Sequence, residues 1–175
     1  RCTKMVNTDL AEHPPPDFSD LDLSAYLIPE PILPYDLTRG CYWQRCAFCQ
    51  TGMQGVTPRP YQAVPPEKAL AELSALGEQY ACKHFHFDVD VIDAEYLKSF
   101  AEGILDGGYA FSWNADLRME EAFTPDLCRL LAKAGLNSAF LGLESGCQAS
   151  LDAMEKGTST RTASSCLRNL YHAGV

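Results

Sequence analysis

Residues 111–143 read FSWNADLRMEEAFTPDLCRLLAKAGLNSAFLGL, and this stretch decides the fold. Phe111 to Leu117 reads as a strand. Thr124 followed by Pro125 is a good N-cap and N1 pair, because the threonine hydroxyl accepts from a free first-turn N–H and proline has none to leave unpaired. The pair opens a helix carrying Leu127, Leu130, Leu131 and Ala134 at helical spacing, and Gly135 supplies its stop. Ser138 to Leu143 is the next strand. Strand, helix and strand with short connections are the signature of a βαβ unit, whose strands lie parallel.

The same order repeats outward in both directions. Upstream, Val64-Pro65-Pro66-Glu67 starts a segment with Leu70, Leu73, Leu76 and Tyr80 at helical spacing. His84 to Val89 then reads as a strand with Phe85 and Phe87 on one face. Tyr96, Leu97, Phe100, Ala101, Ile104 and Leu105 form a second helical stripe, closed by Gly107-Gly108. Downstream, Thr160 to Ala173 is a further helix, closed by Gly174. Counted from a strand at about Leu33 to Thr38, four βα units are expected, and a fifth would start at Val175. The expected fold class is therefore α/β: a partial (βα)n TIM-like barrel truncated after about four βα units, its core spanning residues 35–175 and incomplete at the C-terminus. Residues 1–34 are expected to be a connector. His13-Pro14-Pro15-Pro16 and Pro29-Glu30-Pro31 cannot continue regular structure, and a further domain is expected upstream.

Bulk composition narrows the function classes. The chain has 175 residues, 46% of them hydrophobic and 21% charged, enough for one sizeable core. Its apolar runs are too short to span a bilayer, and no charged-then-apolar leader precedes them, so no membrane is expected and the cytoplasm is the default location. The net charge of -9 makes nucleic acid an unlikely partner, because gripping phosphate backbones needs clustered Lys and Arg. Of eight cysteines, Cys41, Cys46 and Cys49 are bunched. Cys2, Cys82, Cys128, Cys147 and Cys166 are scattered, and each is expected to act as a small buried apolar residue. In a reducing compartment the bunched group points to metal.

Chemistry in parallel α/β folds gathers at the C-terminal strand ends. The first strand runs into Arg39-Gly40-Cys41. The second ends in Asp88 and Asp90, the third carries Asn114, Asp116 and Arg118, and the fourth ends in Gly142-Leu143-Glu144-Ser145-Gly146. Cys41-Tyr42-Trp43-Gln44-Arg45-Cys46-Ala47-Phe48-Cys49 places three thiolates within nine residues. Soft thiolates suit zinc or iron–sulfur centres. A structural zinc site wants four closed ligands; no fourth lies nearby, and Cys82, His84 or His86 could serve only if folding brings them close. An iron–sulfur cubane held by three cysteines leaves one iron open, and Tyr42, Trp43 and Phe48 would shield it from water.

This loop resembles the cluster-binding loop of the radical S-adenosylmethionine (SAM) superfamily, with four-then-two spacing in place of the usual three-then-two. Thr38-Arg39-Gly40-Cys41-Tyr42-Trp43, Phe140-Leu141-Gly142-Leu143-Glu144-Ser145-Gly146 and Met154-Glu155-Lys156-Gly157-Thr158 carry the same resemblance. Asp17-Phe18-Ser19-Asp20 through Pro29-Glu30-Pro31 is similar to the linker of members that carry an N-terminal cobalamin-binding domain. The resemblance implies that Cys41, Cys46 and Cys49 ligate a [4Fe–4S] cluster whose fourth iron takes the amino and carboxylate groups of SAM. It places Phe48 near the adenine, and Glu144 and Ser145 near the ribose or methionine portion. Arg118 is a candidate partner for the SAM carboxylate, because a guanidinium pairs with carboxylates bidentately. Where the family often has a Gly-Gly-Glu-like segment binding the methionine amine, this chain has Asp88-Val89-Asp90, and either carboxylate could serve.

The implied activity is reductive cleavage of SAM to a 5′-deoxyadenosyl radical for hydrogen abstraction, followed by cobalamin-dependent C-methylation. The expected partners are a natural-product or peptide substrate and an electron donor such as flavodoxin or ferredoxin. The alternatives are a cobalamin-independent radical SAM dehydrogenase or cyclase, and a non-catalytic zinc-binding module. His84 and His86 alternate with Phe85 and Phe87 and are expected to be hydrogen-bonded packing residues or, at most, substrate-facing ones. Lys156-Gly157-Thr158 lacks the upstream glycines of a phosphate-binding loop.

Overall fold

A computed structural model describes residues 9–49 and 60–175; Cys2 lies outside them. The chain forms β1 (Ile32–Pro34), β2 (Thr38–Arg39), β3 (Gln62–Ala63), α1 (Pro66–Tyr80), β4 (His84–Phe87), α2 (Ala94–Gly107) and β5 (Ser112–Leu117). It continues through α3 (Pro125–Lys133), β6 (Leu136–Leu141), α4 (Gln148–Ala153) and α5 (Thr160–Ala173). Four strands make one sheet in the order β1-β4-β5-β6, and every pair in it is parallel. Each new strand adds beside the last, with β1 and β6 at the edges, so among the described residues the sheet is open and no barrel closes.

The helices lie on the face of the sheet where alternate strand residues are apolar and form a buried row. Phe85, Phe87, Trp113, Ala115 and Leu117 are buried there. They meet Leu73, Leu97, Phe100, Ile104 and Leu131 from the helical stripes, within one continuous core. Phe87, Phe100 and Trp113 form an aromatic triangle with ring centroids 5.3 to 5.9 Å apart. The Trp113 indole N–H donates to Ala134 O at 2.9 Å, which removes the penalty for burying it. α1 packs on α2, α2 on α3, and α3 on α5, following chain order. The other face of the sheet is mostly polar, with Ile32 and Phe140 exposed on it. His84 Nδ1 pairs with Ser112 Oγ at 2.5 Å and its Nε2 with Glu30 at 2.8 Å, while His86 hydrogen-bonds Asn114. Both histidines are thus hydrogen-bonded packing residues on the side away from the helices.

The expected caps are present. Thr124 Oγ1 accepts from Leu127 N–H, Gly108 and Gly174 take the left-handed conformation after α2 and α5, and Gly135 follows α3 at φ +97°. The first strand differs from expectation. Its parallel ladder stops at Pro34, which has no N–H to donate, after which Tyr35 N–H makes one further bond to His86 O. The chain then turns away at Asp36, and Thr38–Arg39 pairs antiparallel with Gln62–Ala63, joining the two sides of the cysteine loop. β6 starts two residues earlier than expected and ends two earlier, and α4 is an added short helix. Residues 9–31 hold two single-turn 3-10 helices; His13, Asp17 and Phe18 bond to α1, and Glu30 reaches His84 of β4. Leu10 is buried, Phe18 N–H donates to the Tyr80 hydroxyl at 2.9 Å, and Lys68 Nζ donates to His13 O at 3.0 Å.

Candidate active site

The cysteine loop leaves the two-residue β2 at Gly40, whose φ of +81° makes the turn. Gly40 N–H donates to Asp90 Oδ2 at 3.0 Å, so the turn after β4 anchors the start of the loop. Cys49 N–H donates to Cys46 O at 3.2 Å, a tight turn that brings these two cysteines together. The middle of the loop rests on the segment after α4. Ala47 N–H donates to Met154 O and the Trp43 indole N–H to Glu155 O, both at 2.9 Å. The Trp43 ring lies so close to Gly157 that a Cβ there would fall 1.9 Å from it. The Arg118 guanidinium covers the ring, 4.3 Å from the centroid, and Arg45 lies 5.1 Å from it.

Two non-glycine residues in left-handed backbone conformation, Gln44 and Glu155, belong to this loop and its support, and a third, Glu144, stands beside them. Such strain persists where surrounding contacts over-determine the backbone, as at functional sites.

Cys41, Cys46 and Cys49 are partly buried and line one cavity of about 300 Å³. Phe48, Asp90, Arg118 and Glu144 line it with them. Of the other sequence candidates, Asp88 faces a neighbouring cavity of about 360 Å³ that also holds Asp36, Arg39 and Glu72. Ser145 Oγ instead accepts from Cys147 N–H at 3.1 Å, shaping the turn into α4. The structure therefore separates Asp88 from Asp90 and leaves Ser145 out of the cavity lining. Among the loop aromatics only Phe48 lines the cavity: Trp43 docks as described, and Tyr42 stacks edge-on against Tyr61 at 5.5 Å.

Charge in the cavity is mixed. Burial pushes the Cys46 thiol up, Lys156 and Arg118 pull it back, and Cys49 and Cys41 add smaller upward pushes. Burial also raises the Asp116 carboxyl on the cavity wall, with His86 lowering it and Asp88 raising it. Asp116 was legible as a rim residue of the third strand. Lys156 belongs to no phosphate loop, and its motif, Met154 to Thr158, supports the cysteine loop through Met154 O and Glu155 O.

The donor set fits a polynuclear iron–sulfur centre. Among the described residues no group of three His, Cys, Asp or Glu is already gathered around a single ion position. Three thiols lining one cavity suit a cluster in which each binds a different iron. Cys82, considered as a fourth ligand, is at the other end of β4, its thiol donating to Pro31 O and His84 O at 3.1 and 3.0 Å.

The fold and site define an open parallel α/β domain with a three-cysteine loop at the C-terminal strand ends. The sequence profile of the radical SAM superfamily matches residues 35–175, and the chain belongs to that superfamily. No curated protein matches the sequence. Among solved structures, the apo, selenomethionine-labelled form of OxsB, described as a cobalamin-dependent S-adenosylmethionine radical enzyme, has a TM-score of 0.67 over 84% of this chain at 22% identity. OxsB with aqua-cobalamin gives 0.68 over 82%, and with aqua-cobalamin and S-adenosylmethionine 0.65 over 79%, both at 22% identity. The likeness is one of fold, and this chain spans 22 to 23% of the length of those chains. Among the described residues no helix is long and apolar enough to cross a membrane.

Proposed function

We propose that this chain is the cluster-bearing part of a radical SAM enzyme that works with cobalamin to methylate carbon in a natural-product or peptide substrate. The observation that carries the first half is the convergence of Cys41, Cys46 and Cys49 with Phe48, Asp90, Arg118 and Glu144 on one cavity. When bound, the reduced cluster would supply the electron that splits SAM into methionine and a 5′-deoxyadenosyl radical. The chain's own residues hold and enclose. Cys41, Cys46 and Cys49 would ligate three irons, and Asp90 fixes the start of their loop through Gly40. Phe48 offers a ring face to the adenine, and Glu144 offers a carboxylate to ribose hydroxyls or the methionine amine. An external one-electron donor, a flavodoxin or ferredoxin, completes the chemistry.

The cobalamin half is supported by the fold likeness to a cobalamin-dependent enzyme and by the similarity of residues 17–31 to the linker of such proteins. The test uses the full-length protein, purified anaerobically and reconstituted with iron and sulfide. A brown chromophore and reductant-dependent 5′-deoxyadenosine are expected, and both should disappear when Cys41, Cys46 and Cys49 are replaced by alanine. Retention of cobalamin by the same protein, with transfer of a labelled methyl group from SAM to product, is the expected result for the methylation reading. Deoxyadenosine formation without cobalamin would move the protein to the dehydrogenase or cyclase alternative. A colourless protein holding one zinc would end the proposal.

A further inference from the structure

Glu120 lies just beyond the end of β5 and is tied to two residues of the site at once. Its Oε1 accepts from Arg118 Nε at 2.8 Å. The hydroxyl of Tyr42, the residue after Cys41, donates to the same carboxylate. Through Arg118 the tie reaches further, since Nη2 donates to Lys156 O and the guanidinium covers the Trp43 ring. One carboxylate therefore joins the start of the cysteine loop, the end of β5 and the segment that supports the loop.

The two charges of this pair face different ways. Arg118, with a side chain only 7% exposed, lines the cavity of the three thiols. Glu120, 28% exposed, lines a separate cavity of about 290 Å³ with Ser159, Arg161 and Asn169. The cation thus belongs to the thiol cavity, and the anion that compensates it belongs to another wall. At such low exposure a charge is screened far less than at the surface. A cluster held by Cys41, Cys46 and Cys49 gains one negative charge on reduction. A bare cation in that wall would favour the reduced form, and net charge is one of the levers on a cluster's potential.

We propose that Glu120 is a positioning residue of the cluster site. It fixes Arg118 and Tyr42 against the cysteine loop and neutralises the guanidinium, which keeps the potential of the bound cluster low. The inference rests on the cluster reading above and on no assignment of SAM contacts.

The test is a redox titration of the full-length, cluster-loaded protein without SAM, followed by the paramagnetic resonance signal of the reduced cluster. Glu120→Gln keeps the side-chain length and an acceptor for Tyr42 but removes the charge. Its midpoint potential is expected to shift to more positive values, with iron content and visible spectrum equal to the wild type. Glu120→Asp should return the potential toward the wild-type value. Arg118→Met should shift it the opposite way, and the double variant Glu120→Gln, Arg118→Met should fall near the wild type. A purely structural role predicts no shift in Glu120→Gln, or iron lost in step with any shift, and either result overturns the inference. Shifts of the same sign in Glu120→Gln and Arg118→Met overturn it too. Should Arg118→Met take up no iron, Glu120→Gln and Glu120→Asp decide the matter alone. A loaded wild type with an unmoved Glu120→Gln ends this inference only, whereas a wild type that loads no cluster ends the functional reading with it.

Discussion

Cysteine takes two opposite roles outside the candidate site. Cys128 and Cys166 are buried between α3 and α5, and burial pushes both thiols up to about 11. Cys147 stands exposed at the N-cap of α4, where the donors of Ser150, then the backbone N–H of Ala149, favour the thiolate and pull its thiol below the ordinary range. Thiolate is the reactive form, so a lowered pKa means faster alkylation at a given pH and a raised one means protection until the solution approaches that pKa. Iodoacetamide at pH 8 is therefore expected to mark Cys147 well ahead of Cys128 and Cys166 in the native protein, as read by peptide mass spectrometry. The two buried thiols should respond only as the pH rises toward 11 or the chain unfolds. The usual behaviour of free cysteine led to the buried state of Cys82, Cys128 and Cys166, but the same expectation fails at Cys147, which is exposed at the start of a helix with a single buried residue, Leu151. In the same way the three clustered cysteines were legible because their spacing is local. The ammonium of Lys156 and the docking of Trp43 were not, because nothing in the neighbouring residues reveals which distant backbone they will meet.

Secondary-structure elements divide along similar lines. The helices α1, α2, α3 and α5 were readable because each carries a 3.6-residue stripe bounded by at least one clear start or stop. Strand ends were less so: alternation marks which residues can pair, but the ladder decides where pairing stops, as at Pro34. β2 and β3 have two residues each, too few to show any periodicity. The two ends of α3 allow a direct comparison of stop and start. Replacing the Thr124 cap with alanine removes one hydroxyl-to-backbone bond and should cost about 1 kcal/mol. Gly135 is more demanding, since it sits at φ +97° and an added Cβ would fall 2.3 Å from Phe111 O, on the backbone of the neighbouring strand. Gly135→Ala should cost about 2 kcal/mol or more, because left-handed strain and a backbone clash act together. Denaturant midpoints of the two variants should fall in that order, and equal midpoints would mean that β5 shifts to make room.

At the scale of the molecule, the parallel sheet is built by neighbours in sequence, each βα unit closing on the one before it. The candidate site is built otherwise. Trp43 and Glu155, whose hydrogen bond holds the cysteine loop on its support, stand 112 residues apart in the chain. The sheet can therefore grow by short loop closures, whereas the thiols acquire their final setting only when the far end of the fold has docked. In a refolding experiment with iron and sulfide present, appearance of the cluster chromophore should lag recovery of the far-ultraviolet signal. Simultaneous recovery would show that the loop takes its shape before the segment at 154–157 arrives. The Trp43 contact thus acts as a clock: during synthesis the cysteines emerge before their support, and they wait, open to oxygen and stray metals, for a partner made more than a hundred residues later.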